Sequence, residues 1–253
     1  MTPDVVVDIG NTRMKWGRCE GGRVAEVLRL PHDEPAVWDA ELAKLPPPKS
    51  APCRWAVASV NPPACERFVA WAGSHGTVAV FTSPAELPLR VNVDEPAKVG
   101  LDRLFGAVAA KSMVAPGTPA ITVDVGTAVT VNVIDADGVF QGGTIFPGPR
   151  LMGRALHEHT AKLPLIDLGE VPAAGPPGRN TADAIEAGIA AAVQGGVGLL
   201  VERLAARYPR PRLFITGGAR GALSQHGFRG VEHVTEVPEL TLEGIRIAAG
   251  ALP

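Results

Sequence analysis

Residues 5–17 read VVVDIGNTRMKWG, and residues 121–134 read ITVDVGTAVTVNVI. Each stretch opens on a β-branched run typical of a buried strand, breaks at Asp-x-Gly, and resumes as a second apolar strand. The first predicts a hairpin from Val5-Val6-Val7 through Asp8-Ile9-Gly10 to Met14-Lys15-Trp16-Gly17. The second predicts the same unit around Asp124-Val125-Gly126-Thr127, returning over residues 129–134. A chance pair of D-x-G turns is the plainer alternative, but the matched contexts favour duplication of an α/β unit.

Working outward, residues 55–60 read as a third apolar strand, bounded by Pro46-Pro47-Pro48-Lys49 before it and Asn61-Pro62-Pro63 after it. Leu101, Leu104, Phe105, Val108 and Ala109 have helical spacing over residues 101–113. Ala115-Pro116-Gly117-Thr118-Pro119 is the best boundary, which gives halves at 1–114 and 115–253. Asp135-Ala136-Asp137-Gly138 fits a hairpin turn better than a calcium loop, because the later Glu such a loop needs is missing. Ile185, Ile189, Val193, Val197, Leu200 and Leu204 mark one face of a long helix that opens after Asn180-Thr181 and closes near Tyr208-Pro209. Gly195, Gly196 and Gly198 weaken its middle and point to close packing on another backbone, a second subunit being one candidate. Residues 213–216 form a last buried strand that ends at Gly217-Gly218.

Composition narrows the function classes. With 253 residues, 46% hydrophobic and 20% charged, the chain has the profile of an ordinary globular protein. A net charge of -2 gives no global attraction to nucleic acid or anionic membrane, so an anion site must be local. No apolar run is expected to reach the roughly 18 residues that a membrane helix requires, and the N-terminus reads as lacking a signal-peptide pattern. Cys19, Cys53 and Cys65 are scattered, which fits a reducing cytoplasm and neither a disulfide framework nor a zinc site. His157 and His159 stand two apart with no third ligand at metal spacing, and read as surface histidines.

The two hairpins carry the chemistry. Gly10 lets a ligand approach the backbone closely, Asn11, Thr12 and the turn N–H groups can donate to phosphate oxygens, and Lys15 adds positive charge. Asp8, at the strand end, suits hydrated magnesium, which takes one or two carboxylates plus waters. Alone, this is also what an ordinary Asp-Gly-Asn turn looks like. Asp124, Thr127 and Thr130 repeat the arrangement, and two such hairpins across a cleft are expected to hold a triphosphate and metal between two domains. Gly217 and Gly218 would let an adenine or ribose lie on bare backbone. No GxxxxGK[ST] loop or GxGxxG fingerprint competes. Gly142-Gly143-Thr144-Ile145-Phe146-Pro147-Gly148 reads as a loop, with an acceptor seat as the alternative. In Gly100-Leu101-Asp102-Arg103, a helix cap with a surface ion pair stands against a general base for an alcohol, with the arginine holding an anionic part of the same substrate.

The ordered set DIGNTRMK, GLDR, DVGTAVT, GGTIFPG, TAKLP, NTADAIEAG and ITGG resembles type III pantothenate kinase, from Asp8 to Leu242-Glu243-Gly244. The resemblance implies two ribonuclease-H-like domains of the actin-like ATPase superfamily, with mixed sheets flanked by helices. It implies ATP-dependent phosphorylation of pantothenate, the first step of coenzyme A synthesis. By position, Asp8 to Lys15 would bind ATP phosphates and Asp102 would be the base, with Gly100, Leu101 and Arg103 completing the substrate loop. Asp124 would hold a monovalent cation, potassium or ammonium, while Thr127 contacts ATP and Thr181 contacts substrate. The family also implies a cytoplasmic homodimer with the substrate site near the subunit interface. One departure is visible: Val93, in Asn92-Val93-Asp94-Glu95-Pro96, stands near where the family carries tyrosine. A regulatory protein of the Bvg accessory factor type, or a superfamily kinase for another small alcohol, are the alternatives.

Overall fold

The computed structural model describes residues 1–46, 52–168, 175–223 and 227–252; Pro47-Pro48-Lys49 of the expected break lie outside them. In the first half, the chain runs β1 (Val5–Ile9), β2 (Met14–Glu20), β3 (Arg23–Leu30), α1 (Pro35–Leu42), β4 (Cys53–Ser59), α2 (Pro62–Gly73), β5 (Gly76–Phe81), β6 (Arg90–Val91) and α3 (Leu101–Ser112). It continues with β7 (Ala120–Val125), β8 (Ala128–Ile134), β9 (Val139–Pro147), α4 (Pro149–Glu158), α5 (Thr181–Arg207), β10 (Arg212–Thr216), β11 (His233–Glu236) and α6 (Leu240–Ala251). Two compact units result: Met1–Ser112 with Glu239–Pro253, and Met113–Pro238. The C-terminal helix α6 belongs to the first unit, not to the half at 115–253 in which the sequence reading put it.

In the first unit the strand order is β3-β2-β1-β4-β5, with β1, β2 and β3 antiparallel and β4 and β5 parallel to β1. In the second unit its own strands run β9-β8-β7-β10-β11, again an antiparallel meander followed by two parallel strands. The same topology twice is what the duplicated D-x-G hairpins foretold. Both Asp-x-Gly turns sit at the same place, between the first and second strand of a unit.

Strand alternation decides which face carries chemistry. In β1 and β2, Val7, Ile9, Met14 and Trp16 enter a core that also holds Trp55, Val57, Trp38 and Phe68. Asp8 and Lys15 therefore point to the opposite face, where α6 packs against β1. In the second unit, Val123, Val125, Val129 and Val131 meet Val193, Val197 and Val201 of α5.

Two expectations need correction, and a third is extended. Residues 142–147 are not a loop but the second part of β9, paired with β8 from Gly143↔Asn132 to Pro147↔Ala128. Glycine is required there: a Cβ on Gly143 would collide with the Val131 carbonyl and stand 2.7 Å from Asn132 Oδ1. Second, α5 does reach the length and mean hydropathy of a membrane span; its Ile185, Ile189, Val193, Val197 and Val201 nonetheless pack inside the second unit. Third, Asn61-Pro62-Pro63 does more than stop a strand. Asn61 caps α2, accepting from the Ala64 N–H at 3.3 Å, and the prolines take the first helical positions.

Candidate active site

The first hairpin closes through Gly10 N–H donating to the Arg13 carbonyl at 3.2 Å, with Ile9 opposite Met14. Asn11, Thr12 and Arg13 are exposed at its tip, and Asp8 is half-buried directly across from Lys15. The turn therefore brings backbone N–H groups and Thr12 to the surface, flanked by one carboxylate and one ammonium. That donor set fits a phosphate chain with a hydrated divalent cation, since the carboxylate can hold the ion through water while the phosphates supply other ligands. The lysine Nζ lies 3.9 Å from Glu239 Oε2, a partner 224 residues away that no local pattern reveals.

The Gly100–Arg103 segment occupies the start of α3, with Arg103 N–H donating to the Gly100 carbonyl at 3.1 Å. The Asp102 carboxylate folds back over Gly100, so that a Cβ there would stand 2.5 Å from Oδ1. Gly100 is thus the residue that leaves room for the carboxylate. Burial pushes the Arg103 guanidinium below its ordinary pKa, and the Asp102 charge pulls it back up. Such a partly desolvated cation keeps its charge and binds an anion more strongly than a surface arginine would. Helix α3 is held on α6 by close backbone approach: a Cβ on Gly244 would overlap the Phe105 carbonyl. That contact accounts for the glycine in Leu242-Glu243-Gly244.

In the second unit several backbones meet at one point. Gly126 N–H donates to the Ala128 carbonyl at 3.0 Å, leaving Thr127 exposed at the turn. Gly217, with φ +98°, lies against the end of β7, where a Cβ would overlap the Val125 carbonyl and stand 2.5 Å from Asp124 Oδ1. Ala219 N–H donates to the Val125 carbonyl at 3.0 Å, and Arg220 Nη1 donates to the Gly217 carbonyl at 3.1 Å. Gly148 N–H donates to the Thr127 carbonyl at 2.9 Å, at the start of α4. The structure therefore gathers Asp124, Thr127 and Gly217 around one turn, with Gly218 next in the chain. Gly148 and Arg220 belong to that gathering as well. Arg220 was not read from the sequence, and Gly148 was read only as the end of the 142–148 segment with an acceptor seat as its alternative, although Pro149 after it is a helix-start signal.

Thr181 is the first residue of α5, after Asn180 caps the helix by accepting from the Asp183 N–H at 2.9 Å. It lines an apolar pocket of about 790 Å³ with Leu151, Met152 and Leu156 of α4 and Ile185 and Ile189 of α5. His157 and His159 are exposed, and His157 Nδ1 is 2.9 Å from the Leu163 carbonyl. The three thiols are free; burial pushes Cys19 up to about 12 and Cys53 to about 11, which suits neither for nucleophilic chemistry.

Comparison with known proteins fits this geometry. The model of the type III pantothenate kinase family matches residues 5–203. A type III pantothenate kinase of Halorhodospira halophila is 36% identical over 231 residues, covering 87% of this chain and 88% of the relative. One from Acidiphilium cryptum is 32% identical over 254 residues, covering 97% and 93%. Among solved structures, a putative 2-dehydro-3-deoxygalactonokinase from Sinorhizobium meliloti aligns with TM-score 0.57 at 12% identity, covering 98% of each chain. An inorganic polyphosphate/ATP-glucomannokinase from Arthrobacter sp. strain KM aligns with TM-score 0.51 at 15% identity over the full length of both. At those identities the structures speak for the fold alone, two ribonuclease-H-like domains of the actin-like ATPase type.

Proposed function

The chain belongs to the type III pantothenate kinase family, and from that premise we infer that it transfers the γ-phosphoryl group of ATP to pantothenate, the first step of coenzyme A biosynthesis. The observation that carries this reading is the family match across residues 5–203. The duplicated hairpins on duplicated sheets support it. Family membership favours catalysis over the regulatory alternative.

Within that activity we assign roles to residues. Asp8, Gly10, Asn11, Thr12 and Lys15 hold the ATP phosphates, and Asp8 holds magnesium through water. When bound, the divalent ion neutralises charge on the transferring phosphoryl group. Thr127, Gly217 and Gly218 contact the nucleotide, and Asp124 holds a monovalent cation. Asp102 takes the proton of the primary alcohol as it attacks, and Arg103 pairs with the pantothenate carboxylate. The carboxylate over Gly100 and the partly desolvated guanidinium beside it support this division. Thr181 contributes to the acceptor site.

We also propose a homodimer in the cytoplasm, with the acceptor site near the subunit interface. Gly188, Ala192, Gly195 and Leu199 are exposed along one side of α5 and would admit a second backbone closely. The direct test is ADP release with ATP and magnesium, with and without pantothenate. Turnover that depends on pantothenate supports the reading; ATP hydrolysis indifferent to it removes the named acceptor.

A further inference from the structure

Asp8, Lys15 and Arg29 are successive cross-strand neighbours, Asp8 opposite Lys15 and Lys15 opposite Arg29, so they share the face of the first sheet turned away from its tryptophan core. Glu239, immediately before α6, reaches over this row. Its Oε1 accepts from Arg29 Nη2 at 2.9 Å, while its Oε2 is buried and accepts no hydrogen bond. Lys15 Nζ is 3.9 Å from that oxygen. A buried carboxylate oxygen without a donor carries a desolvation cost, which a nearby ammonium relieves through charge alone. Arg29 meanwhile occupies only the other oxygen. The ammonium is aimed without being clamped, and its hydrogen-bond donors are not spent on Glu239.

We propose that Glu239 is a positioning residue for ATP use, holding the Lys15 ammonium by charge beside the first hairpin turn so that it meets the phosphates in place. This rests on the assignment of Lys15 to the phosphate site. It explains why a lysine next to a turn of exposed donors should be tied to a residue at the far end of the chain. It also gives the return of α6 to the first unit a functional consequence.

The test is steady-state kinetics with ATP·Mg²⁺ and pantothenate on the parent, Lys15→Gln, Glu239→Gln, Glu239→Asp, Arg29→Gln and the Lys15→Gln/Glu239→Gln double variant. Lys15→Gln should raise KM for ATP by roughly tenfold. Glu239→Gln should raise it by about three- to tenfold with kcat changed less than about twofold. In the Lys15→Gln background the same change should add nothing, because the effect runs through the lysine. Glu239→Asp, which keeps the charge, should recover part of the loss, and it carries the comparison should Glu239→Gln fold poorly. Arg29→Gln breaks the tie between β3 and Glu239 but leaves the charge facing Lys15, so KM should stay within about twofold. If Arg29→Gln reproduces the Glu239→Gln effect, or if that effect persists without Lys15, Glu239 acts only as a strut and the proposal is overturned. A Lys15→Gln variant with normal KM overturns the phosphate-site assignment itself.

Discussion

Gly217 and Gly218 are neighbours in one loop, yet the structure predicts opposite fates for alanine at the two positions. At Gly217, φ is +98° and a Cβ would overlap the Val125 carbonyl, approaching Val125 N and Asp124 Oδ1 at 2.5 Å. A side chain at such a dihedral costs about 1–3 kcal/mol, and forcing atoms into packed backbone costs about 1–3 kcal/mol more. The sum, about 2–6 kcal/mol, is a large part of the 5–15 kcal/mol by which domains are typically stable. For a chain of this size it corresponds to a melting temperature lower by roughly 5–20 °C. At Gly218 nothing lies within 4 Å of the added carbon, so alanine there should stay within about 0.5 kcal/mol of the parent. The assay is thermal unfolding of both variants, with KM for ATP measured alongside. A loop that moves to relieve the overlap would trade part of the thermal loss for a higher KM. Gly217→Ala with unchanged melting temperature and unchanged KM, or Gly218→Ala as damaging as its neighbour, would refute the reasoning.

Other predictions follow from the site. Asp102→Asn should lower kcat by about 10²–10⁴-fold while leaving thermal unfolding intact; near-parental turnover would remove Asp102 as the base. Activity should require potassium or ammonium and be weak in sodium alone, with Asp124→Ala abolishing the response; equal rates at matched ionic strength would count against the cation site. Light scattering should give twice the 26.3 kDa chain mass, and Leu199→Glu on the exposed side of α5 should shift it toward monomer; an active parental monomer contradicts the dimer. Val93→Tyr should lower KM for pantothenate by up to roughly tenfold, the worth of one hydrogen bond, with no gain meaning that the departure is compensated elsewhere.

What the sequence revealed, and what it hid, has physical causes. The hairpins at Asp8 and Asp124 were legible because β-branched runs flank an obligatory turn, and both signals are local. Helix α5 was legible from its periodicity and its Asn180 cap. Strand β9 was not, because Gly142, Gly143 and Pro147 carry loop chemistry while tertiary crowding over Asn132 demands glycine in a strand. Strand β3 was missed for a different reason: exposed Arg23 and Glu26 on the sheet edge blur its alternation. The candidate site residues proposed from the sequence all lie within one turn or one helix start, where local signals operate. Arg220 and Glu239 were not among them, since each enters its site by packing between segments far apart in sequence.

The central claim is that this chain esterifies the primary alcohol of pantothenate with phosphate from ATP. Phosphorus NMR of the reaction mixture tests it most directly. The account predicts a phosphomonoester signal split by two methylene protons, growing in step with ADP and absent without pantothenate. ADP accompanied only by inorganic phosphate, or an ester whose phosphorus couples to a single proton as at the secondary alcohol, would contradict it.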